Sequence, residues 1–92
     1  MNKFKIFQTS KFEEDLRQKF HSQRDWIETK LSVYVYPQLR TQPFWGKNIK
    51  KLKGYKPDTW RYRIGDYRFF YEIDESEKIV YLLTIDARKD AY

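Results

Sequence analysis

Hydrophobic and polar positions change their period along this chain, and the changes mark its elements. Lys3 and Lys5 alternate with Phe4 and Ile6 before Phe7 breaks the pattern, which predicts a strand over residues 3–8. Ser10 and Glu13 then have capping-box spacing. Phe12, Leu16 and Phe20 follow every four residues, with Glu13, Glu14 and Asp15 near the positive helix start, so residues 11–20 read as a helix. Ser22 and Asp25 repeat the start signal, and Ile27, Leu31, Tyr34 or Val35, and Gln38 or Leu39 trace a second amphipathic helix towards Arg40. Pro37 interrupts it, because a proline inside a helix removes a hydrogen bond and collides with the preceding turn; a kink or restart is expected there. Pro43, Gly46, Gly54 and Pro57 mark a connecting segment, with a short strand or turn around 49–52 and with Phe44 and Trp45 as its anchors to the core.

Beyond that segment the period becomes two. Trp60, Tyr62 and Ile64 alternate with Arg61 and Arg63; Tyr67, Phe69, Tyr71 and Ile73 alternate with Arg68, Phe70 and Glu72; "KIVYLLTIDA" is then largely apolar. Three consecutive strands follow from this, with Gly65 and Asp66 at a two-residue turn and "DESEK" as a longer polar loop. The fold class is α+β: an N-terminal strand, a helix pair and a three-stranded antiparallel meander. Together they form one antiparallel sheet of about four strands packed on the helices, in a single domain over 1–92.

The turn fixes a register with a chemical consequence. With Gly65 and Asp66 at the tip, Arg63 lies opposite Arg68 and Arg61 opposite Phe70. Like charges across a strand pair are unfavourable by about 0.2–1 kcal/mol, so stability does not call for this arrangement. The alternate face carries Trp60, Tyr62, Phe69 and Tyr71 and suits burial under the helices. The arginine face is left open to an anion, and the planar guanidinium matches phosphate with paired hydrogen bonds.

Charge sharpens this picture. The chain of 92 residues has a net charge of +6, and the eight Lys or Arg against two acids between Phe44 and Tyr71 account for all of it. Such focusing suggests a polyanionic partner. The chain has no cysteine, which excludes disulfides and thiolate-bound metal, and it has no cluster of His and carboxylates at metal-ligand spacing. No metal or cofactor is expected. "MNKFKIFQTS" lacks the apolar centre of a signal peptide, and no run approaches the roughly 18 apolar residues of a membrane span; a cytoplasmic protein without membrane contact is expected.

"KLKG" at 51–54, "WRYRIGDYRFFYEID" at 60–74 and "IDARKDAY" at the C-terminus resemble the RelE/ParE superfamily of bacterial toxin–antitoxin toxins. The resemblance covers nearly the whole chain and is strongest from Leu52 onward. It implies a RelE-like fold, an acidic antitoxin as partner, and a toxin that is monomeric when free. It also implies one of two activities: metal-independent cleavage of messenger RNA on the ribosome, or inhibition of DNA gyrase without RNA cleavage. For the ribonuclease it implies Arg61, Arg63, Arg68, Arg88 and Tyr92 as catalytic residues. Arg68 and Arg88 would stabilise the phosphate, Arg61 and Arg63 would grip the backbone, and Tyr92 would stack on a base or orient the nucleophile. Lys47, Lys50, Lys51, Lys53, Lys56, Phe70 and Lys89 are expected to accompany them as RNA contacts.

The chain departs from the family pattern at the general base. Arginines stand at 61 and 63 where the best-understood member has lysines, and a guanidinium with a pKa above about 12 is a poor base. Ala87 occupies a position where relatives often carry histidine, and the only histidine, His21, reads as a surface residue between the helices. Tyr92, Lys53, Lys51 and Lys50 are the remaining candidates. Asp86 and Asp90 flank Arg88 and could hold it in place.

Overall fold

The structure, a computed structural model, describes residues 3–87. Five strands, β1 (Lys5–Gln8), β2 (Ile49–Lys51), β3 (Trp60–Ile64), β4 (Tyr67–Asp74) and β5 (Ile79–Ala87), form one sheet in the order β1-β5-β4-β3-β2. The α+β class and the meander stand as expected. Two features of the sheet differ from the expectation of about four antiparallel strands. The short strand in the connecting segment joins as an edge, pairing Ile49 with Tyr62 and Lys51 with Trp60, and β1 lies parallel to β5. Alternation does not encode strand direction. No hairpin ties β1 to a neighbour; the chain leaves it through the helices, a crossover that permits parallel pairing with the last strand.

The first helical arm is an α-helix, α1 (Ser10–Glu14), that widens over Asp15–Lys19 into a π-type turn. Its cap is Thr9 rather than Ser10. The Thr9 hydroxyl donates to the Leu82 carbonyl at 2.7 Å and accepts from the Phe12 N–H at 3.4 Å, so one side chain both starts the helix and ties it to β5. The second arm comprises α2 (Arg24–Lys30), a π-type turn (Leu31–Val35) and α3 (Tyr36–Thr41). Pro37 occupies the first turn of α3, where its missing N–H is tolerated, and the wide turn before it relieves the ring's clash with the preceding carbonyls.

Both arms cover one face of the sheet. Phe12, Leu16, Ile27, Leu31, Val35 and Leu39 meet Trp60, Tyr62, Phe69, Tyr71, Val80, Leu82 and Ile85, all of them buried. Each such side chain contributes about 1.5–3 kcal/mol by leaving water, which fixes which sheet face points inward. The Tyr71 hydroxyl is buried and donates to the Pro43 carbonyl at 2.7 Å; burial pushes its phenol pKa well up, so it stays a neutral donor. Phe44 packs edge-on against Trp60, with centroids 5.6 Å apart, and anchors the connecting segment. Trp45, also expected as an anchor, is 68% exposed: adjacent residues in extended chain point opposite ways, and Phe44 takes the inward position.

Candidate nucleic-acid interface

The hairpin forms in the register read from the sequence. Ile64 pairs with Tyr67, Arg63 with Arg68 and Arg61 with Phe70, around Gly65 at φ 58°. That positive φ at the first turn position, with Asp66 outside the positive-φ region, belongs to a type II′ turn, whose twist suits a two-residue hairpin. The other strands extend each pair into a rung across the open face. One rung runs Lys50, Arg61, Phe70, Thr84; the next runs Arg63, Arg68, Asp86.

Each arginine is held differently. Arg61 donates through Nη1 to the Asn48 carbonyl at 3.1 Å, and Arg63 through Nε to the Gly65 carbonyl at 3.3 Å. These two, with Lys47, Asn48 and Gly65, line a shallow cleft of about 390 Å³ in which three of five residues are cationic. Arg68 lies deeper, at 27% side-chain exposure, and pairs through Nη2 with Asp86 Oδ2 at 2.5 Å. Its guanidinium sits 5.9 Å from the Phe70 ring centroid. Its Nε is buried and has no acceptor among the described residues. A buried donor without a partner costs about 1–3 kcal/mol.

The lysines divide. Lys50 shares the arginine face through its pairing with Arg61, and Lys47 lines the cationic cleft. Lys56 borders a second cleft beside Phe70. Lys53 is exposed in the turn after β2. Lys51 is brought elsewhere: it pairs with Trp60 on the helix-side face, where its Nζ lies 3.2 Å from Asp58 Oδ2 and 5.6 Å from the Trp60 ring. Of the three lysines considered as a base, the strand register thus puts only Lys50 with the arginines. His21 is exposed in the turn between the helical arms. Arg88, Lys89, Asp90 and Tyr92 lie outside the described residues.

One residue that organises this face carries in the sequence the signal of a helix-start acid. Asp15 is 2% exposed, and its carboxylate accepts from Lys11 Nζ at 2.6 Å, Thr84 Oγ1 at 2.6 Å and the Ile85 N–H at 3.0 Å. Burial alone would raise its pKa; the Lys11, Thr84 and Ile85 hydrogen bonds outweigh that and hold it below the usual carboxylate range. It satisfies a β5 donor beyond the end of β1. The signal was its position three residues after Phe12, on the buried side of the helix. Opposite it, a bulge between Phe70 and Tyr71 leaves Leu83 without a direct partner, so Phe70 meets Thr84 and Tyr71 meets Leu82.

Among curated proteins, no sequence matches this chain. Several solved structures share its architecture. The RelBE2 toxin–antitoxin complex from Mycobacterium tuberculosis aligns at 24% identity and a TM-score of 0.71, covering 92% of this chain and 98% of that one. The isolated E. coli RelE toxin aligns at 17% identity and 0.68, covering 96% and 87%. The archaeal RelE–RelB complex from Pyrococcus horikoshii OT3 aligns at 20% identity and 0.56, covering 97% and 99%. At these identities the likeness establishes the fold alone. The model of the family described as the ParE toxin of type II toxin–antitoxin systems matches residues 6–92, and with nearly its whole length matched the chain belongs to that toxin family, within the RelE/ParE superfamily.

Proposed function

We propose that this toxin is a metal-independent endoribonuclease that cuts messenger RNA, on the ribosome, and so stops translation. The observation that carries the proposal is the Arg63–Arg68 pair on the open face, with Arg68 Nε buried and lacking an acceptor among the described residues. In the reaction the ribose 2′-oxygen attacks its adjacent phosphorus, the 2′-proton leaves to a base, and the bond to the departing 5′-oxygen breaks as that oxygen takes a proton. The products are a 2′,3′-cyclic phosphate and a 5′-hydroxyl. Arg68, oriented by Asp86, stabilises the negative charge that develops on the phosphate, and Arg61 and Arg63 hold the neighbouring backbone. Arg88 and Tyr92 are proposed to complete the site, Lys89 to add a backbone contact, and Lys50, beside Arg61, is a candidate base.

The family and the fold support an antitoxin partner, since solved relatives are toxin–antitoxin complexes. An acidic antitoxin segment would be drawn to the basic face and would silence it. Among the described residues no helix is long and apolar enough to cross a membrane, and we place the toxin in the cytoplasm with its substrate. The family name keeps a second reading in view, in which the same face docks on DNA gyrase and nothing is cut. Purified toxin added in parallel to a translation reaction and to a gyrase supercoiling reaction separates the two. Cleaved messages ending in 2′,3′-cyclic phosphates are expected; intact messages with inhibited DNA supercoiling would replace the ribonuclease reading with the gyrase one.

A further inference from the structure

Beside the arginine rungs, the open face holds a second cleft of about 330 Å³, bordered by Tyr55, Lys56, Phe70, Glu72, Leu83 and Thr84. Its walls are mostly apolar and aromatic. Tyr55 is 54% exposed, and Phe70 is also the ring against which Arg68 lies. Leu83 reaches the cleft because of the bulge: as the extra residue of β5 it is released from strict alternation. The Thr84 hydroxyl donates its proton to Asp15, so the side it turns to the cleft is acceptor only.

Glu72 differs from Asp86, a carboxylate on the same face that is paired with Arg68. It is a carboxylate on the face that carries Arg61, Arg63 and Arg68, two residues along β4 from Phe70, and among the described residues it makes no ion pair and no side-chain hydrogen bond. A carboxylate in the path of a phosphate backbone repels it. Next to an aromatic cleft it has a different use, because it accepts two parallel hydrogen bonds. Of the four RNA bases only guanine offers two adjacent donors on one edge, N1–H and N2–H. Cytosine and adenine place an acceptor beside their amino group, and uracil flanks its single N–H with carbonyls. In a single strand that edge is unpaired and available.

We propose that this cleft is a base-binding subsite selective for guanine in single-stranded RNA: Phe70 and Tyr55 supply the stacking surface, Glu72 accepts from N1–H and N2–H, and the flanking phosphates lie on Lys56 and the arginine rungs. The proposal rests on the RNA reading of the face but not on cleavage, and binding alone can test it. The probe is a set of 2′-O-methylated hexamers, which lack the nucleophile, each with one guanine or one adenine in a uridine background. Affinity is measured by fluorescence anisotropy with the full chain.

The wild type is expected to prefer the guanine hexamer roughly tenfold, in keeping with a good bidentate contact. Glu72→Gln, which turns one acceptor into a donor, should erase the preference while leaving the adenine hexamer bound as before. Tyr55→Ala should weaken both hexamers together by roughly tenfold. Equal wild-type affinity for the two, or a guanine preference that survives Glu72→Gln in a folded protein, would overturn the subsite. Guanine-selective binding by a protein that leaves translated messages intact would instead sustain the subsite and remove the ribonuclease.

Discussion

Replacing Asp15 by alanine tests how this small fold closes the edge of its last strand. The carboxylate is buried and receives three hydrogen bonds, from Lys11, Thr84 and the Ile85 N–H. Lys11 is 59% exposed and water takes over its partner's role, so that contact adds little. The Ile85 N–H is buried, and leaving it without an acceptor costs about 1–3 kcal/mol; the lost Thr84 bond adds about 0.5–1.5 kcal/mol. The expected loss is thus about 2–4 kcal/mol, a large share of the roughly 5–15 kcal/mol by which such domains are stable. Equilibrium urea unfolding followed by the fluorescence of Trp26, Trp45 and Trp60 measures it. The pH dependence adds a sign. Because the folded state holds Asp15 below its ordinary pKa of 3.8, the stability it gives is complete well above that value and is lost as pH falls through the lowered folded pKa. The gap between wild type and variant should therefore narrow in acid. A variant within about 0.5 kcal/mol of wild type at pH 7, or a gap that widens as pH falls, would refute the reasoning.

Other consequences follow from the same geometry. Gly65→Ala puts a side chain at φ 58° with only Trp26 near its Cβ, at 3.9 Å, so backbone strain rather than a clash should cost about 1–2 kcal/mol in thermal unfolding. Asp86→Ala should change stability by less than about 1 kcal/mol, since both partners are partly exposed. It should nevertheless lower message cleavage about tenfold or more by releasing Arg68 from its orientation, as read in a timed cleavage assay. Arg63→Ala should weaken binding of uncleavable RNA and flatten the slope of log affinity against log salt by about 0.7, the share of one phosphate contact.

The parts of this fold legible in the sequence are those set by local periodicity. The hairpin is the clearest, because Gly65 and Asp66 fix the turn and a single register then buries Trp60, Tyr62, Phe69 and Tyr71 together. The position of the arginines came with it. What escaped depends on contacts distant in sequence. Nothing around residues 5–8 says that they run parallel to 79–82. Thr9 rather than Ser10 caps the first helix because Leu82 is there to take its proton. Asp15 looked like one of three acids at a helix start, and only the β5 donors beyond the end of β1 make it structural. The bulge at Leu83 likewise leaves no trace in an apolar run, although it explains why Val80, Leu82 and Ile85 are buried at uneven spacing. Lys51 shows the opposite failure: composition grouped it with its neighbours, and strand alternation sends it to the other face.

The central claim is that the open arginine face cuts RNA, with Arg68 acting on the phosphate. The most direct measurement is to map transcript ends after brief induced expression of the wild type and of Arg68→Ala, with circular dichroism to show that both fold. New ends within translated reading frames that disappear in the variant are the predicted result. Intact transcripts during wild-type growth arrest, or the same ends in a folded Arg68→Ala, would contradict it.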